Sequence, residues 1–380
     1  MNHKLERPLI MPPSPVFIPH DLIVEVFSFL PVKSVIRFTC MSRKFDSLVS
    51  DPTFVNLHLH RYSRNQDASL IYPSQSDNAT FTVFRLSENR PPRLTLPNHP
   101  YYHHKYKHCL YIVGSCNGLL CLGHHVFGGS KAETWIRFWN PATRILSGKL
   151  PASGDGGLYN LTFGYDSSTD TYMLVHFIPD RTEVKVLKLG DNVWKNIQNS
   201  PIWHPFPLHF VNLSGSVIWL AIRNYPSSRP YNCKNITIQQ FWVISLDLGA
   251  ETHTRLSLPQ GFIEVPFVLP YLSVLKDSLC FSHDFRKTHF IIWKMKEFGV
   301  EESWTQLFKI RYHDLQIYDN FCNWQIRLLP LCLSEKRNTL LMTNPNTKIL
   351  YNWRYNKAES TNILWPFGSP YYNESLVSYR

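Results

Sequence analysis

Five short turns, each followed directly by an apolar run, punctuate the chain beyond residue 110 and restrict its fold more than any other feature. Asn117-Gly118 separates Tyr111–Gly114 from Leu119–Leu122, and an Asn-Gly pair supplies the positive φ angles of a type I′ hairpin turn. Comparable points stand at Ser168-Thr169-Asp170 before Tyr172–Phe177 and at Ser214-Gly215 before Val217–Ile222. Two more are Lys276-Asp277-Ser278 before Leu279–Ser282, and Lys336-Arg337-Asn338 before Thr339–Thr343. Taken at Gly118, Asp170, Gly215, Ser278 and Asn338, the intervals are 52, 45, 63 and 60 residues. Longer words repeat as well: Asn140-Pro141-Ala142-Thr143-Arg144 is echoed by Asn344-Pro345-Asn346-Thr347-Lys348, and Val193-Trp194-Lys195 by Ser303-Trp304-Thr305. A period of about 40–50 residues with several strands per unit points to the blades of a β-propeller. Radial packing also gives the 14% aromatic content a place, because each blade buries both faces of its sheet. The uneven spacing leaves the number of blades and the closure of the ring open, and a stacked pair of sheets remains an alternative.

The first 60 residues read differently. Asp21–Leu30 has the pattern of a helix whose polar residues, Asp21, Glu25 and Ser28, fall at i, i+4 and i+7 on one narrow stripe. The other seven positions are apolar, about twice the face that a surface helix needs for its own domain. Pro31 ends it, since a residue before proline avoids the α region. Shorter helices are expected over Val32–Met41 and about Arg43–Val49, and Asp51-Pro52 starts a further segment. So small a unit cannot bury both its own core and the second face of its first helix. Phe27, Phe38, Phe45 and Leu48 suit the core, and something outside the unit must cover the remainder.

This segment resembles an F-box. The resemblance rests on Ile18-Pro19, Asp21-Leu22, Glu25-Val26, Leu30-Pro31-Val32-Lys33-Ser34, Arg37-Phe38, Cys40, Ser47-Leu48 and Asp51-Pro52 with Phe54. Ile18 stands where leucine is usual, and Phe45 where tryptophan is common. The remainder resembles the plant F-box-associated domain, related to kelch-type β-propellers and shared with the S-locus F-box group. The matching words there are Gly114-Ser115-Cys116-Asn117-Gly118-Leu119-Leu120-Cys121, Trp139-Asn140-Pro141-Ala142-Thr143-Arg144, Phe163-Gly164-Tyr165-Asp166 and Tyr372-Asn373-Glu374-Ser375-Leu376-Val377-Ser378. The resemblance implies a Skp-family adaptor as partner and, through it, a cullin-based ubiquitin ligase, with the β domain holding a protein substrate. By motif position it places the adaptor contact on Leu22, Val26, Leu30 and Pro31, flanked by Ile18, Pro19 and Val35.

Several other functions are disfavoured. The chain is basic, with 39 Lys+Arg against 28 Asp+Glu, but the basic residues never run longer than pairs such as Arg286-Lys287, so no nucleic-acid partner is expected. The N-terminal apolar stretch is broken by Pro8, Pro12, Pro13 and Pro15, which rules out a signal-peptide core, and no run is long enough to span a membrane. A cytoplasmic or nuclear location is expected. Gly114-Ser115-Cys116-Asn117-Gly118 has the spacing of a nucleophile elbow, but that motif needs a helix after the turn and a strand follows here. His103, His104, His108, Cys109, Cys116, Cys121, His124 and His125 crowd one stretch without paired metal-ligand spacing.

The reading is therefore an α+β chain. A flexible Pro-rich terminus (1–15) precedes a three-helix F-box (16–60), a linker (61–67) and a mostly antiparallel, propeller-like β domain (68–380). It acts as a non-catalytic substrate receptor with no cofactor and no metal. A protein-binding or inhibitory adaptor working outside a ligase is the alternative.

Overall fold

The computed structural model describes residues 18–63, 69–73, 80–85, 93–95, 108–126, 134–152, 160–178, 183–191, 193–197, 209–225, 230–317, 327–344, 347–362 and 371–378. The chain divides into two compact units, Met1–Asn65 and Gln66–Arg380.

Among its described residues the first unit contains four helices rather than three: α1 (His20–Phe27), α2 (Val32–Thr39), α3 (Arg43–Ser50) and α4 (Pro52–Ser63). α1 stops three residues short of Leu30. Approaching Pro31, the chain tightens into i→i+3 bonds, with Phe29 N–H donating to the Val26 carbonyl and Leu30 N–H to that of Phe27. α4 starts where Asp51 Oδ1 accepts the Thr53 N–H at 2.7 Å, and it continues through Arg61–Ser63, which the sequence reading assigns to a linker. The rings of Phe27, Phe38 and Phe45 meet at 4.7 to 6.0 Å and, with buried Leu48, form the core expected of them.

The second unit is a six-bladed antiparallel propeller. Blade 1 holds β1 (Ser69–Pro73), β2 (Thr80–Arg85) and β3 (Arg93–Thr95). Blade 2 holds β4 (His108–Cys116), β5 (Leu119–Val126), β6 (Thr134–Asn140), β7 (Ile145–Leu146) and β8 (Leu150–Pro151). Blade 3 is β9 (Leu161–Asp166), β10 (Thr171–Ile178), β11 (Glu183–Lys188) and β12 (Lys195–Asn196). Blade 4 is β13 (Phe210–Leu213), β14 (Ser216–Ile222), β15 (Phe241–Asp247) and β16 (Thr252–Leu256). Blade 5 is β17 (Tyr271–Leu275), β18 (Ser278–Phe285), β19 (His289–Met295) and β20 (Trp304–Arg311). Blade 6 is β21 (Leu329–Ser334), β22 (Thr339–Thr343), β23 (Thr347–Asn352) and β24 (Lys357–Asn362). The last strand, β25 (Tyr371–Tyr372), returns to pair with β1, so both ends of the domain share one blade.

The five turns seen in the sequence are the hairpins that join the first two strands of blades 2 to 6. Their positive φ angles fall on Asn117 and Gly118, Asp170, Ser214 and Gly215, Lys276 and Asp277, and Asn338. The two tryptophan words are also equivalent. Trp194 directly precedes the outermost strand of blade 3 and Trp304 opens that of blade 5, and their indole N–H groups donate to the Pro151 and Ser257 carbonyls at 3.4 and 2.9 Å. The Asn-Pro words are not: Asn140 ends the third strand of its blade, whereas Asn344 follows the second.

Each seam between neighbouring blades has its own apolar cluster. β14 shows why a central strand reads as one continuous apolar run. Val217, Trp219 and Ala221 pack with blade 3, while Ile218, Leu220 and Ile222 pack with blade 5. The sixth seam, which exists only in a closed ring, joins Leu70 and Phe84 of blade 1 to Leu329, Leu331 and Leu341 of blade 6. The closing strand brings Tyr372 into the cluster on the other side of blade 1, between blades 1 and 2.

Lys348 lies in the closing seam, with Nζ 3.6 Å from the centre of the Phe84 ring and the residue 8% exposed. Burial pushes its ammonium down to about 8 from an ordinary 10.5. A cation whose folded pKa is depressed favours the unfolded chain while charged, so stability should rise with pH between about 8 and 10.5. Lys348→Met should therefore stabilise the domain at neutral pH by about 1–3 kcal/mol and flatten that rise. Denaturant unfolding at neutral and at alkaline pH checks both. A Lys348→Met variant that unfolds more easily at neutral pH would show the cation–ring contact to outweigh the cost of burial.

Candidate functional site

The helical unit leaves one apolar stripe uncovered. Ile18, Leu22, Val26 and Phe29 are 54%, 56%, 57% and 52% exposed, and they follow one another at helical spacing. Exposed apolar residues scattered singly need no explanation, but here two stand on α1, a third just before it and a fourth in the turn after it, four large ones within one short stretch. Pro19 and Pro31, both exposed, occupy the N-cap positions of α1 and α2 and frame the stripe. Leu30 is half-buried, and its carbonyl is within 2.9 Å of His58 Nε2 on α4.

Val35 does not join the patch. It is fully buried beside Val32, because these two share the inward i, i+3 side of α2 while Lys33 and Arg37 face outward. The polar stripe of α1 is also only partly wet. Ser28 is fully buried; its hydroxyl donates to the Glu25 carbonyl at 2.7 Å and accepts from Arg61 at 3.0 Å. Arg61 also pairs with Glu25 at 2.6 Å and lies 5.0 Å from the centre of the Phe29 ring. Thus α4 reaches back to hold the end of α1 and orient Phe29. The sequence reading missed Phe29 as a surface residue, and the signal for it was the Asp51-Pro52 helix start, which carries Arg61 one helix length onward.

The F-box domain pattern matches residues 18–57, and the pattern described as the F-box associated beta propeller domain matches residues 71–378. The chain belongs to the F-box associated beta propeller domain family. The F-box protein CPR1 of Arabidopsis thaliana is 25% identical, covering 95% of this chain and 88% of its own length. An F-box/kelch-repeat protein of the same plant is 23% identical, covering 78% of this chain and 80% of its own. Among solved structures, a chain of the nidogen/laminin complex aligns with a TM-score of 0.45 at 11% identity, over 81% of this chain and 99% of that one.

Three of the words that carry the family likeness meet in space, and what they build is a clasp. The Ser375 hydroxyl donates to the Asn117 carbonyl at 2.5 Å. The Asn140 side-chain amide donates to the Ser375 and Val377 carbonyls at 3.0 and 2.7 Å. Arg85 of blade 1 pairs with Glu374 at 2.6 Å. The segment after β25 is thereby fixed to the hairpin of blade 2 and to the end of β6.

The elbow-like spacing around Cys116 belongs to this clasp. β5 follows the turn where a nucleophile elbow would place a helix, and burial pushes the Cys116 thiol up to about 12, far from a thiolate at neutral pH. Cys121 and His124 lie three apart on β5 and so project from opposite faces of the sheet. Cys121 sits in the seam with blade 3, while His124 stacks on Trp135 at 4.3 Å. The two cannot share a metal ion from those positions. His103 and His104, and the side chains of His108, Cys109 and His125, lie outside the described residues. Among the described residues no helix is long and apolar enough to cross a membrane.

Proposed function

We infer that this chain is the substrate-recognition subunit of a Skp–cullin–F-box ubiquitin ligase. The observation that carries the reading is the uncovered Ile18–Leu22–Val26–Phe29 stripe on an F-box that shares its chain with a propeller. An apolar stripe on a small domain calls for a stable partner, and a Skp-family adaptor is the partner an F-box implies. The propeller offers a rigid body whose connections can hold a protein target. No side chain of the chain need enter the chemistry. Holding the target close to a separate ubiquitin-conjugating enzyme raises their effective concentration, which suffices to direct transfer to a target lysine.

Reconstitution tests this. Mixed with a Skp-family adaptor and a cullin carrying its conjugating enzyme, the full chain should enter one complex and support ubiquitin transfer to a target. A chain lacking residues 18–63 should still hold the target and support no transfer. Transfer that persists without residues 18–63, or a full chain that never joins the complex, would leave an adaptor acting outside a ligase.

A further inference from the structure

Residues 257–270, which join β16 of blade 4 to β17 of blade 5, are tied down along their length. The Ser257 carbonyl takes the Trp304 indole N–H, and Tyr231 donates to the Pro266 carbonyl at 2.7 Å. Phe262 is 4% exposed, set edge-on to Phe241 and Phe281 at 5.4 and 5.0 Å. Gly261 lies so close to Trp293 that a Cβ would fall 2.3 Å from its ring. From this fixed connector Ile263 and Phe267 nevertheless stand 62% and 41% exposed. A loop with that many anchors has little freedom to fold them away.

The same blade carries four cations on the neighbouring hairpin and outer strand. Arg286 and Lys287 form the turn between β18 and β19, both at positive φ (52° and 55°), where asparagine or glycine would sit more easily. Lys309 and Arg311 come from β20. Lys287 Nζ lies 3.8 Å from the Phe267 ring centre, and Arg286 and Lys309 flank Phe285 at 5.1 and 5.3 Å. Arg286 is matched by Glu264 at 3.2 Å and Arg311 by Asp314 at 2.9 Å. Among the described residues no carboxylate pairs with the ammonium of Lys287 or of Lys309. Beneath them the buried carboxylate of Asp284 accepts the Phe267 N–H and the Lys287 N–H, each at 3.4 Å, and the Tyr312 hydroxyl at 2.9 Å. One group therefore fixes both the apolar and the cationic half of the ledge.

We propose that this ledge of blade 5 docks a segment of the protein target in which an apolar side chain is flanked by carboxylates. The apolar group covers Ile263 and Phe267, and the carboxylates meet Lys287 and Lys309, which touch aromatic rings but pair with no carboxylate among the described residues. A protein segment fits better than a nucleic acid, because two of the four cations are already neutralised and the centre of the ledge is aliphatic and aromatic. Asp284 is a positioning residue here. The proposal rests on the receptor reading and adds the target's chemistry to it.

The test is a display selection of random peptides on the full chain, followed by binding of the recovered peptides to the chain and to the double variant Lys287→Glu/Lys309→Glu. Both lysines are exposed, so the variant should melt with the parent. Recovered peptides should place Asp or Glu beside Leu, Ile or Phe, weaken as salt is raised, and bind the double variant at least about tenfold more weakly. Ile263→Ser should weaken them without changing the salt dependence. A selection that yields no peptide dependent on the two lysines overturns the proposal, as does a single-stranded oligothymidine that competes more strongly than the peptides. Association with a Skp-family adaptor, measured on the same samples, separates the two readings. Adaptor binding without lysine-dependent peptides removes only the ledge, whereas lysine-dependent peptides on a chain that ignores the adaptor remove the ligase role and leave the ledge standing.

Discussion

Gly118→Val should be among the most damaging single changes in the propeller, at a cost on the order of 4 kcal/mol. Two separate penalties add there. Gly118 has φ +80°, and holding a β-branched residue in that region costs about 1–3 kcal/mol. A Cβ at this position would also fall 2.4 Å from Ser375 Oγ, 2.5 Å from the Asn373 carbonyl oxygen and 2.8 Å from Ser375 Cβ. Forcing those atoms apart costs about 1–3 kcal/mol more and lifts the segment after β25 off the clasp. Gly215→Val is the control. Its φ is +75°, but the nearest atom to an added Cβ is the Tyr165 carbonyl oxygen at 4.0 Å, so only the backbone penalty applies. Thermal melts should put Gly118→Val well below Gly215→Val. Equal melting temperatures would mean that the Asn117–Ser375 contact contributes nothing to closing the ring.

This comparison also shows what the sequence made legible. The five hairpins announce themselves because each needs positive φ, and the residues that tolerate it are few. Blade 1 has no such turn. Its innermost strand, β25, comes from the far end of the chain, so the hairpin that would join it to β1 does not exist. That is why five repeats could be read and the ring holds six blades. The Asn140 and Asn344 words looked alike because both are polar ends of strands; only strand order separates them, and composition does not encode strand order. The cysteine word at 114–118 resembled an active-site elbow for a related reason: a tight turn that must pass close to another backbone uses the same small residues in either role.

In the helical unit periodicity gave α1 more apolar face than its own domain could cover, and it was the F-box resemblance, by motif position, that singled out Leu22 and Val26. The same resemblance placed Val35 at the edge of the contact, but in this chain Val35 faces inward with Val32 and is fully buried. Arg61 was lost by reading 61–67 as linker: α4 buries Phe54 and His58 one turn apart, but its last turn, Arg61–Ser63, carries no apolar period of its own. The blade 5 ledge left no trace in the sequence. Ile263 and Phe267 gain meaning only from the anchors on either side of them, which come from one loop and four separate strands.

The second large effect concerns the stripe itself. Because Leu22 is 56% exposed, Leu22→Asp should leave folding essentially unchanged, and its whole cost should appear in binding. A carboxylate at the centre of a dry interface, with no partner charge, costs several kcal/mol, or at least about a hundredfold in affinity. Val26→Asp should behave alike, since Val26 lies one turn further along the same stripe with equal exposure (57%). Val35→Asp should differ in kind. It places a charge at a fully buried position and should melt the helical unit before any partner is added.

The most direct measurement is a titration of a purified Skp-family adaptor into the full chain and into Leu22→Asp, with melting curves recorded on both. The expected result is tight association of the parent chain, loss of at least about a hundredfold in the variant, and superimposable melts. Equal affinity of parent and variant for the adaptor, with both folded, would contradict the assignment of this stripe as the docking face and, with it, the receptor function.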